Sequence, residues 1–502
     1  MKRSLLGLAL ITSAMAANAQ TKLVQDINPG TGSSYPVRLT VFGNQMVFGA
    51  NDGTNGEELW SMTDSLTQIA YNINPSTSSS IIPVYNRTMA VLGKNIYFPA
   101  DNGTSGTELY SWSGKTGDAP ALVAEIMAGA SGSSIDEIVE MNGKLYFDAN
   151  DGSYGQELWS YDTATAMATR LSDIYAGATG SFISSITAYN GKIYFSAYNS
   201  TTGAELYSYD PATNSTSIVL DIDPGVSSSS PNNFTIINGK LYFSASTSTY
   251  GRELYMYNGS NVQRLTDLVS GSGNGMAFSA TGVSKIVGMG DAIYLSGEDG
   301  TYSGHLYKYD AKTGITSLVY KTNPTGSSVI SNMTMYAGKM YFSANNTAAG
   351  NELWMYTGSG IPTLVADIRA GAGSSSPAEF RQWGKNLYFS AYDSATGVEL
   401  YKLYDSSILA VQNVKFNADV KVYPNPTTSV ATIDVNLEQT QKLSVNVLDM
   451  NGRVVYTVPV TGYNSGSNKI AVPVSDLAPG IYLFTLHNEA GSMMFSARLL
   501  KQ

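Results

Sequence analysis

The fold is decided by a motif of which one copy reads Gly239-Lys240-Leu241-Tyr242-Phe243-Ser244-Ala245, followed by Glu253-Leu254-Tyr255. The leucine of the second part recurs eight times, at spacings of 50, 49, 48, 48, 52, 47 and 47 residues. A near-constant period of this length is typical of propellers, solenoids and other repeat arrays. The recurring leucines are Leu59, Leu109, Leu158, Leu206, Leu254, Leu306, Leu353 and Leu400.

Each repeat is predicted to contain four short strands. In the last repeat the first three strands are predicted at residues 379–382, 386–391 and 398–404. A fourth strand is expected at each L-V-x-D-I sequence, as at residues 364–368. Runs of β-branched and aromatic residues bounded by Gly, Asn, Asp and Ser indicate strands, and four strands in about 48 residues match one propeller blade.

The ends of the repeat region indicate how it closes. No L-V-x-D-I sequence follows the last repeat, but residues 23–27 supply one near the N-terminus. An N-terminal strand that completes the last blade would remove the exposed sheet edges, whereas a solenoid would need polar capping repeats. We therefore predict an all-β protein with an eight-bladed β-propeller closed by its N-terminal strand. The loops between second and third strands and those leading to the next blade should share one polar rim, where function is expected.

Composition excludes several classes of function. The 502 residues carry a net charge of −10, which disfavours binding to nucleic acid or anionic lipid. The chain has no cysteine and only two histidines, His305 and His487. Disulfides, thiolate metal sites, cysteine nucleophiles and His-based triads are therefore excluded or nearly so.

A glutamate precedes the motif leucine in seven repeats, which favours a structural role over a catalytic one. We expect each carboxylate to accept backbone N–H groups of the adjacent D-G-T turn. In the sixth repeat His305 takes this place, which we interpret as a tolerated degenerate copy rather than a functional exception. The seven glutamates are Glu58, Glu108, Glu157, Glu205, Glu253, Glu352 and Glu399.

The turn that follows the second strand begins with Asp or Asn in most repeats, as at Asp52 and Asn102. These residues exchange freely in Asx turns, so we expect turns there. Ca²⁺ binding is the lesser alternative, because each loop carries only about one carboxylate. The aromatic residues after the motif leucine are expected to pack between blades, with a sugar-binding platform as the alternative: Trp60, Tyr110, Trp159 and Trp354.

Charged residues that do not repeat lie in the predicted first strands, which line the central channel of a propeller. These are the candidate binding residues, although solvated channel lining is the simpler interpretation. Glu137 and Glu140 resemble a paired-carboxylate site but should lie on opposite faces of a strand. The candidates are Arg38, Arg87, Glu137, Glu140, Lys285, Glu379 and Arg381, with Asp136 beside them.

The N-terminus predicts export. Lys2 and Arg3 precede an apolar run at residues 5–11 and the sequence Ala17-Asn18-Ala19, which together indicate a signal peptide ending at residue 19. The apolar run is too short for a membrane-spanning helix, and no transmembrane segment is expected.

Residues 21–405, with L-Y-F-S-A, D-G-T-x-G-x-E-L-W and L-V-x-D-I-x-P-G, resemble the ELWxxDGT-repeat (hyalin-like) family of bacterial secreted proteins. The sixth repeat departs most from this pattern, at Gly297, Gly304 and His305. The resemblance implies a repeat propeller at residues 20–405 but no particular ligand.

After a linker at residues 406–419, residues 420–502 are predicted to form a small Ig-like β-sandwich. Its motifs Y-P-N-P, L-D-x-x-G-R and L-x-P-G-x-Y, with a basic end, resemble the type A C-terminal sorting domain of the type IX secretion system. That resemblance implies a Bacteroidetes-type cargo that partners the type IX translocon and is then released or attached to the surface. An accessory adhesion module is the alternative. The motif residues are Tyr423, Pro424, Asn425, Pro426, Gly452, Arg453, Gly480, Tyr482 and Lys501.

Three functions remain open from the sequence. We favour a non-catalytic propeller that binds a glycan or a protein, because no nucleophile, base or metal cluster is recognisable. The second is a carbohydrate-active enzyme, a hydrolase or lyase, that uses channel carboxylates. The third is a structural component of a surface layer. No cofactor is expected.

Overall fold

The computed structural model describes residues 19–64, 66–81, 89–276, 285–405, 420–437, 440–449, 454–488 and 493–502. All secondary-structure elements within these ranges are β-strands, so the described part of the protein is all-β. Contacts divide the chain into two units, Met1–Tyr404 and Asp405–Gln502. The predicted signal peptide up to residue 18, the linker, Arg87, Gly452 and Arg453 lie outside the described residues.

The first unit consists of eight four-stranded antiparallel sheets in chain order, numbered 1 to 8 here. Sheets 1 to 4 contain β2 (Val37–Phe42), β3 (Gln45–Asn51), β4 (Glu57–Met62) and β5 (Thr67–Tyr71); β6 (Ala90–Leu92), β7 (Asn95–Asp101), β8 (Thr107–Trp112) and β9 (Ala121–Ala124); β10 (Ile138–Met141), β11 (Lys144–Asn150), β12 (Gln156–Asp162) and β13 (Met167–Arg170); and β14 (Ser184–Tyr189), β15 (Lys192–Asn199), β16 (Gly203–Asp210) and β17 (Ser215–Leu220).

Sheets 5 to 8 repeat this arrangement, except that the fourth strand of sheet 8 is the N-terminal strand β1 (Ala19–Gln25). They contain β18 (Asn232–Ile237), β19 (Lys240–Thr247), β20 (Gly251–Tyr257) and β21 (Val262–Arg264); β22 (Ile286–Met289), β23 (Ala292–Gly297), β24 (His305–Asp310) and β25 (Ile315–Tyr320); β26 (Ser331–Tyr336), β27 (Lys339–Asn346), β28 (Gly350–Tyr356) and β29 (Thr363–Ala366); and β30 (Ala378–Trp383), β31 (Asn386–Asp393), β32 (Gly397–Asp405) and β1 (Ala19–Gln25).

The two middle strands of each sheet are buried on both faces because they lie between neighbouring sheets. In sheet 1, all six residues of β4 are buried, and so are the five central residues of β3. One hydrophobic cluster joins Val47 of sheet 1 to Phe98 of sheet 2. The repeated Y-F-S-A and E-L-[W/Y] motifs thus build one core between each pair of sheets, rather than one core within each sheet.

The first strands of the sheets face one another. Those of sheets 2 to 8 contact each other in sequence, and β30 of sheet 8 also contacts β2 of sheet 1. Sheets 8 and 1 share a hydrophobic cluster that includes Phe48 and Trp60 from sheet 1 and Tyr388 and Leu400 from sheet 8. The arrangement is β-propeller-like, with the first strands innermost.

The outer strands are shorter than the L-V-x-D-I sequence predicts. The strand β29 ends at Ala366, before Asp367 and Ile368, and β1 ends at Gln25 rather than at residue 27. The reason is that the main-chain N–H of the motif isoleucine donates to the repeat glutamate, as Ile368 does to Glu352 at 2.9 Å. A group used in this way cannot continue a β-ladder.

The second glycine of the D-G-T-x-G loop is required where the loop meets the next inter-sheet loop. Gly203 has φ +69°, and a Cβ there would lie 2.1 Å from the carbonyl oxygen of Ser227. Gly397 has φ +72°, and a Cβ there would lie 2.1 Å from the carbonyl oxygen of Gly32. Only glycine combines this backbone conformation with this approach, and both loops therefore lie on one rim.

The second unit is a β-sandwich. One sheet has the order β33 (Lys421–Tyr423), β34 (Val430–Leu437), β37 (Gly466–Pro473), and the other has the order β36 (Val454–Tyr463), β35 (Gln441–Leu448), β38 (Gly480–Asn488), β39 (Met493–Lys501). Alternate residues of β34 and β35 are buried, and side chains from both sheets, such as Ile433 and Phe484, share one core.

Candidate functional site

The seven repeat glutamates are fully buried and join elements that are distant in sequence. Glu205 is typical: its carboxylate accepts the N–H of Ile222 at 2.8 Å, the N–H of Ser229 at 2.8 Å and the hydroxyl of Ser229 at 2.5 Å. Ile222 follows the outer strand, and Ser229 lies in the loop to the next sheet. Six of the seven glutamates tie their own outer strand to a serine in the loop that starts the following sheet. The exception is Glu253, which accepts from Thr266 and Leu268, because Gly275 replaces the loop serine.

The prediction that these carboxylates accept N–H groups of the D-G-T turn was wrong. That turn is satisfied internally, because Asp52 Oδ1 accepts the N–H groups of Thr54 and Asn55, each at 2.8 Å. Asn102 does the same for Thr104 at 2.9 Å and Ser105 at 3.0 Å. The Asx turn leaves no N–H group for a distant carboxylate.

Replacing Glu205 by Ala is expected to lower the free energy of unfolding by about 3 kcal/mol or more, because it leaves two buried N–H groups and a hydroxyl without an acceptor. Chemical denaturation measures the effect. Glu140 is the matched control: it is exposed, and among the described residues its one hydrogen-bond donor is the N–H of Gly143, so Glu140→Ala should change stability by less than about 0.5 kcal/mol. Equal losses in the two variants would contradict the assigned role.

His305 replaces the glutamate in sheet 6 and has a similar position. It is fully buried, and its Nδ1 lies 2.8 Å from the hydroxyl of Ser328, the counterpart of Ser229. Its Nε2 lies 3.5 Å from Asp299 Oδ2. Burial, followed by the charge of Lys321, lowers the pKa of His305, so the ring is neutral at pH 7.

Burial raises the pKa of the repeat carboxyl groups. This effect is larger than the opposite effect of the N–H and hydroxyl groups that donate hydrogen bonds to them. The pKa of Glu58 rises to about 7 and that of Glu253 also to about 7. A raised pKa means that the folded state binds protons more tightly than the unfolded state. The stability this confers is complete below about pH 4.5, the ordinary glutamate pKa, and is lost as the pH rises through about 7.

We therefore expect a higher melting temperature at pH 5 than at pH 8, as measured by calorimetry. His305, whose pKa is lowered, acts in the opposite direction below about pH 6.5 but is a single group. Glu253→Gln is expected to flatten the pH dependence, because it removes one of the titrating groups. A melting temperature that is constant or rises from pH 5 to pH 8 would show that the pKa of these carboxyl groups is not higher in the folded state than in the unfolded state.

The polar rim does not gather metal ligands in the part of the chain that is described. No group of three or more His, Asp or Glu side chains there could hold a metal ion. The aromatic residues Trp60 and Trp354 lie in hydrophobic clusters shared with neighbouring sheets; the first cluster also contains Tyr388 and the second Tyr294.

Several predicted channel residues meet where sheet 8 faces sheet 1. The main-chain N–H of Arg38 donates to the Glu379 carboxylate at 2.8 Å, and Arg381 Nε donates to the carbonyl of Leu39 at 2.7 Å. Burial raises the pKa of Glu379, against the N–H and the charge of Arg38. Burial also raises the pKa of Glu57 to about 8, and Arg38 again opposes this. We call Arg38, Glu57, Glu379 and Arg381 the seam cluster.

A second group of acids lies in sheet 3. The Glu137 carboxylate accepts the N–H groups of Ser185, at 3.1 Å, and of Ile186, at 2.5 Å, in the next sheet. Asp148 accepts the N–H groups of Asp136 at 3.2 Å and of Glu137 at 2.9 Å. Burial raises the pKa of Glu137 to about 7 and that of Asp148 to about 8. Both Glu137 and Glu379 thus bridge to the first strand of the following sheet.

The remaining candidates are not brought into these clusters. Glu140 lies exposed on β10, two residues after the start of the strand, and Lys285 precedes β22 in sheet 6. Burial lowers the pKa of Lys285, and the charge of Glu298 opposes this. The structure thus separates Glu137 from Glu140 and does not pair them.

Glu57 and Asp148 were missed by the sequence reasoning. Asp148 stands where the Y-F-S-A motif of sheet 3 has Asp in place of Ser, and Glu57 directly precedes the repeat residue Glu58. Both departures are visible when the repeats are aligned. Their burial is not visible, because it depends on the neighbouring sheet.

In the second unit, the Y-P-N-P motif contacts the last strand. The side chain of Asn425 donates to the carbonyl of Arg498 at 2.8 Å and accepts the N–H of Leu500 at 2.9 Å. Tyr482 donates its hydroxyl to the carbonyl of Ala478 at 2.9 Å, which connects β38 to the turn before it. Lys501 is buried. Motifs that are distant in sequence therefore stabilise one sandwich.

Comparison with known proteins finds a family for the second unit only. Residues 421–499 match the family described as the secretion system C-terminal sorting domain. No curated protein sequence matches the chain. The described residues contain no helix that is long and apolar enough to cross a membrane.

Solved structures resemble the chain at low identity. PorZ, a surface component of the type IX secretion system of Porphyromonas gingivalis, is 13% identical with a TM-score of 0.39, over 92% of this chain and 64% of PorZ. The β-propeller domain of the Trilobed protease from Pyrococcus furiosus is 13% identical with a TM-score of 0.38, over 67% of this chain and 98% of that domain. A fungal alcohol oxidase is 11% identical with a TM-score of 0.42, over 95% of this chain and 100% of the oxidase.

The chain spans about two thirds of PorZ, and none of these structures identifies a ligand or a reaction for it. The sequence match at the C-terminus is specific, and it agrees with the sandwich and with the Asn425 contacts. The C-terminal unit is a secretion-system sorting domain, and the protein that carries it is exported.

Proposed function

We propose that the protein is a cargo of the type IX secretion system whose eight sheets form a closed eight-bladed propeller, and that this propeller binds a glycan or a protein without catalysing a reaction. Either release or attachment to the outer-membrane surface would follow removal of the sorting domain. The supporting observation concerns one repeated position on the rim, the residue directly after the motif isoleucine or after Leu268 and Thr322, which replace that isoleucine in two repeats.

The side chain at this place, which we call the rim position, differs around the ring while the backbone repeats. Several contact the second-to-third loop of the following sheet, as Asn28 does at Gly53 and Met127 at Gly152. Tyr175 contacts Tyr198, in the second strand of that sheet. A constant scaffold that presents varied side chains on adjacent loops is the usual design of a binding surface. The rim positions are Asn28, Asn74, Met127, Tyr175, Asp223, Val269, Asn323 and Arg369.

A glycan array and a protein pull-down, both with residues 20–502, test the proposal. Saturable binding that a double substitution at rim positions weakens, such as Tyr175→Ala with Arg369→Ala, is expected. Exposed non-rim residues in the outer strands, Ile218 and Leu318, provide a matched double-alanine control. Self-assembly without any ligand would instead favour a surface-layer component.

A carbohydrate-active enzyme is the second candidate, and one observation favours it. Two carboxyl groups with raised pKa, Glu57 and Glu379, interact electrostatically with each other and with Arg38. A pair of carboxyl groups is what glycoside hydrolysis uses. Release of reducing sugar from array-positive glycans, abolished by Glu379→Gln, would support the enzyme. Binding without turnover would support the non-catalytic module.

A further inference from the structure

We infer that the cavity between Tyr35, Arg369 and Tyr392 binds an acidic sugar residue, the carboxylate of a uronic acid facing Arg369. The inference rests on the proposed binding function and names a site and a ligand class for it. The cavity has a volume of about 280 Å³ and lies on the rim where sheet 8 meets the N-terminal loop. Its size, near the lower end of ligand sites, suits a single sugar residue.

Arg369 is held in place by two neighbours. Its guanidinium carbon lies 4.8 Å from the centre of the Tyr392 ring. On its other side Gly373 provides the space, because a Cβ there would lie 2.7 Å from Arg369 Nε. The stacked, restrained guanidinium loses little conformational freedom when it binds a ligand, and its planar group matches a carboxylate.

Arg369 also differs from two other arginines that stack on tyrosine, Arg170 and Arg264. Arg170 lies over Tyr154 and pairs with Asp173 at 3.4 Å, and Arg264 lies over Tyr250 and pairs with Asp267 at 3.4 Å. Among the described residues no carboxylate lies within ion-pair distance of Arg369. An uncompensated cation in a cavity, on a protein of net charge −10, favours an anionic ligand.

The rest of the cavity matches a sugar ring better than a simple anion. Tyr35 is 50% exposed, and its backbone is held in the left-handed region at φ +47°. The N–H groups of Ser34 and Tyr35 both donate to the carbonyl of Val398, at 2.9 and 3.3 Å, which fixes the aromatic ring at the cavity. Aromatic faces stack on the C–H faces of sugars, and the polar residues Ser374, Ser376 and Ser390 line the same cavity.

The test compares glucuronate, glucose and acetate as ligands of residues 20–502 by titration calorimetry and NMR. Glucuronate is expected to bind at least about ten-fold more tightly than either glucose or acetate. Arg369→Ala should abolish the preference over glucose, and Arg264→Ala, which removes a stacked but ion-paired arginine, should keep it. Gly373→Ala retains the charge but displaces it, and should also weaken the preference.

Melting temperatures confirm that each variant is folded. Equal affinity for glucuronate and glucose, equal affinity for acetate and glucuronate, or a preference unchanged in Arg369→Ala would overturn the inference. If glycans on the array still bind while Arg369→Ala has no effect, this site is wrong and the proposed function stands. If neither a glycan nor a protein binds the chain, the proposed function fails together with the site.

Discussion

Deletion of residues 420–502 is expected to abolish export across the outer membrane and to leave the repeat unit in the periplasm. The deleted segment contains the whole sandwich, including the residues that match the sorting-domain family. The repeat unit should remain folded, since contacts divide the chain at Tyr404 and Asp405 and each unit has its own core. Cell fractionation with an antibody against the repeat unit measures the outcome.

A point variant controls for the size of the deletion. Asn425→Ala removes the two hydrogen bonds from the Y-P-N-P motif to the last strand and keeps every other residue. We expect surface appearance to fall with this variant, whereas Ser467→Ala, which affects only an exposed hydroxyl, should be exported normally. Normal surface appearance of the deleted chain would refute the sorting assignment.

Deletion of residues 21–28 is expected to lower the free energy of unfolding by about 5 kcal/mol or more. Ile27 is buried in the cluster shared by sheets 1 and 8, and burial of such a side chain contributes about 2 to 3 kcal/mol. The N–H groups of Ile27 and Asn28 donate to Glu399 at 3.0 and 3.3 Å. Hydrogen bonds to a charged group contribute about 1.5 to 3 kcal/mol each. The deletion also exposes the edge of β32.

Two further variants serve as controls for this prediction. A chain that starts at Gln20 should have the full stability, and a chain with residues 21–28 replaced by Gly and Ser should be nearly as unstable as the deletion. The comparison separates the strand side chains from the length of the chain. Denaturant midpoints measure the effect. A deletion that leaves the midpoint unchanged would mean that β1 does not hold sheet 8 to sheet 1.

The local pattern of the repeats predicts most of the strands. In the last repeat the predicted strands at 379–382, 386–391 and 398–404 lie within Ala378–Trp383, Asn386–Asp393 and Gly397–Asp405. Alternation and turn residues are local properties, so one sequence shows them. The outer strand was predicted too long, because its last N–H group binds a glutamate about sixteen residues away in the chain, as Ile368 binds Glu352.

The candidate site was predicted only in part for the same reason. Arg38, Glu379 and Arg381 were recognised as charges that do not repeat, but their meeting required sheet 8 to lie beside sheet 1, which joins residues more than 300 positions apart. Arg369, Tyr392 and Tyr35 were not singled out. No local pattern connects them, and only the docking of the N-terminal loop on Val398 forms their cavity.

The sequence by itself determined the number of repeats, the all-β class, the turn chemistry and the C-terminal sorting motifs, since each depends on residues close together in the chain or on a fixed motif. The tertiary structure decided which groups the buried glutamates bind, which charges meet and where a cavity lies. Those properties depend on which sheet faces which, and the free energy of burying a charge or filling a cavity is set by neighbours from other repeats.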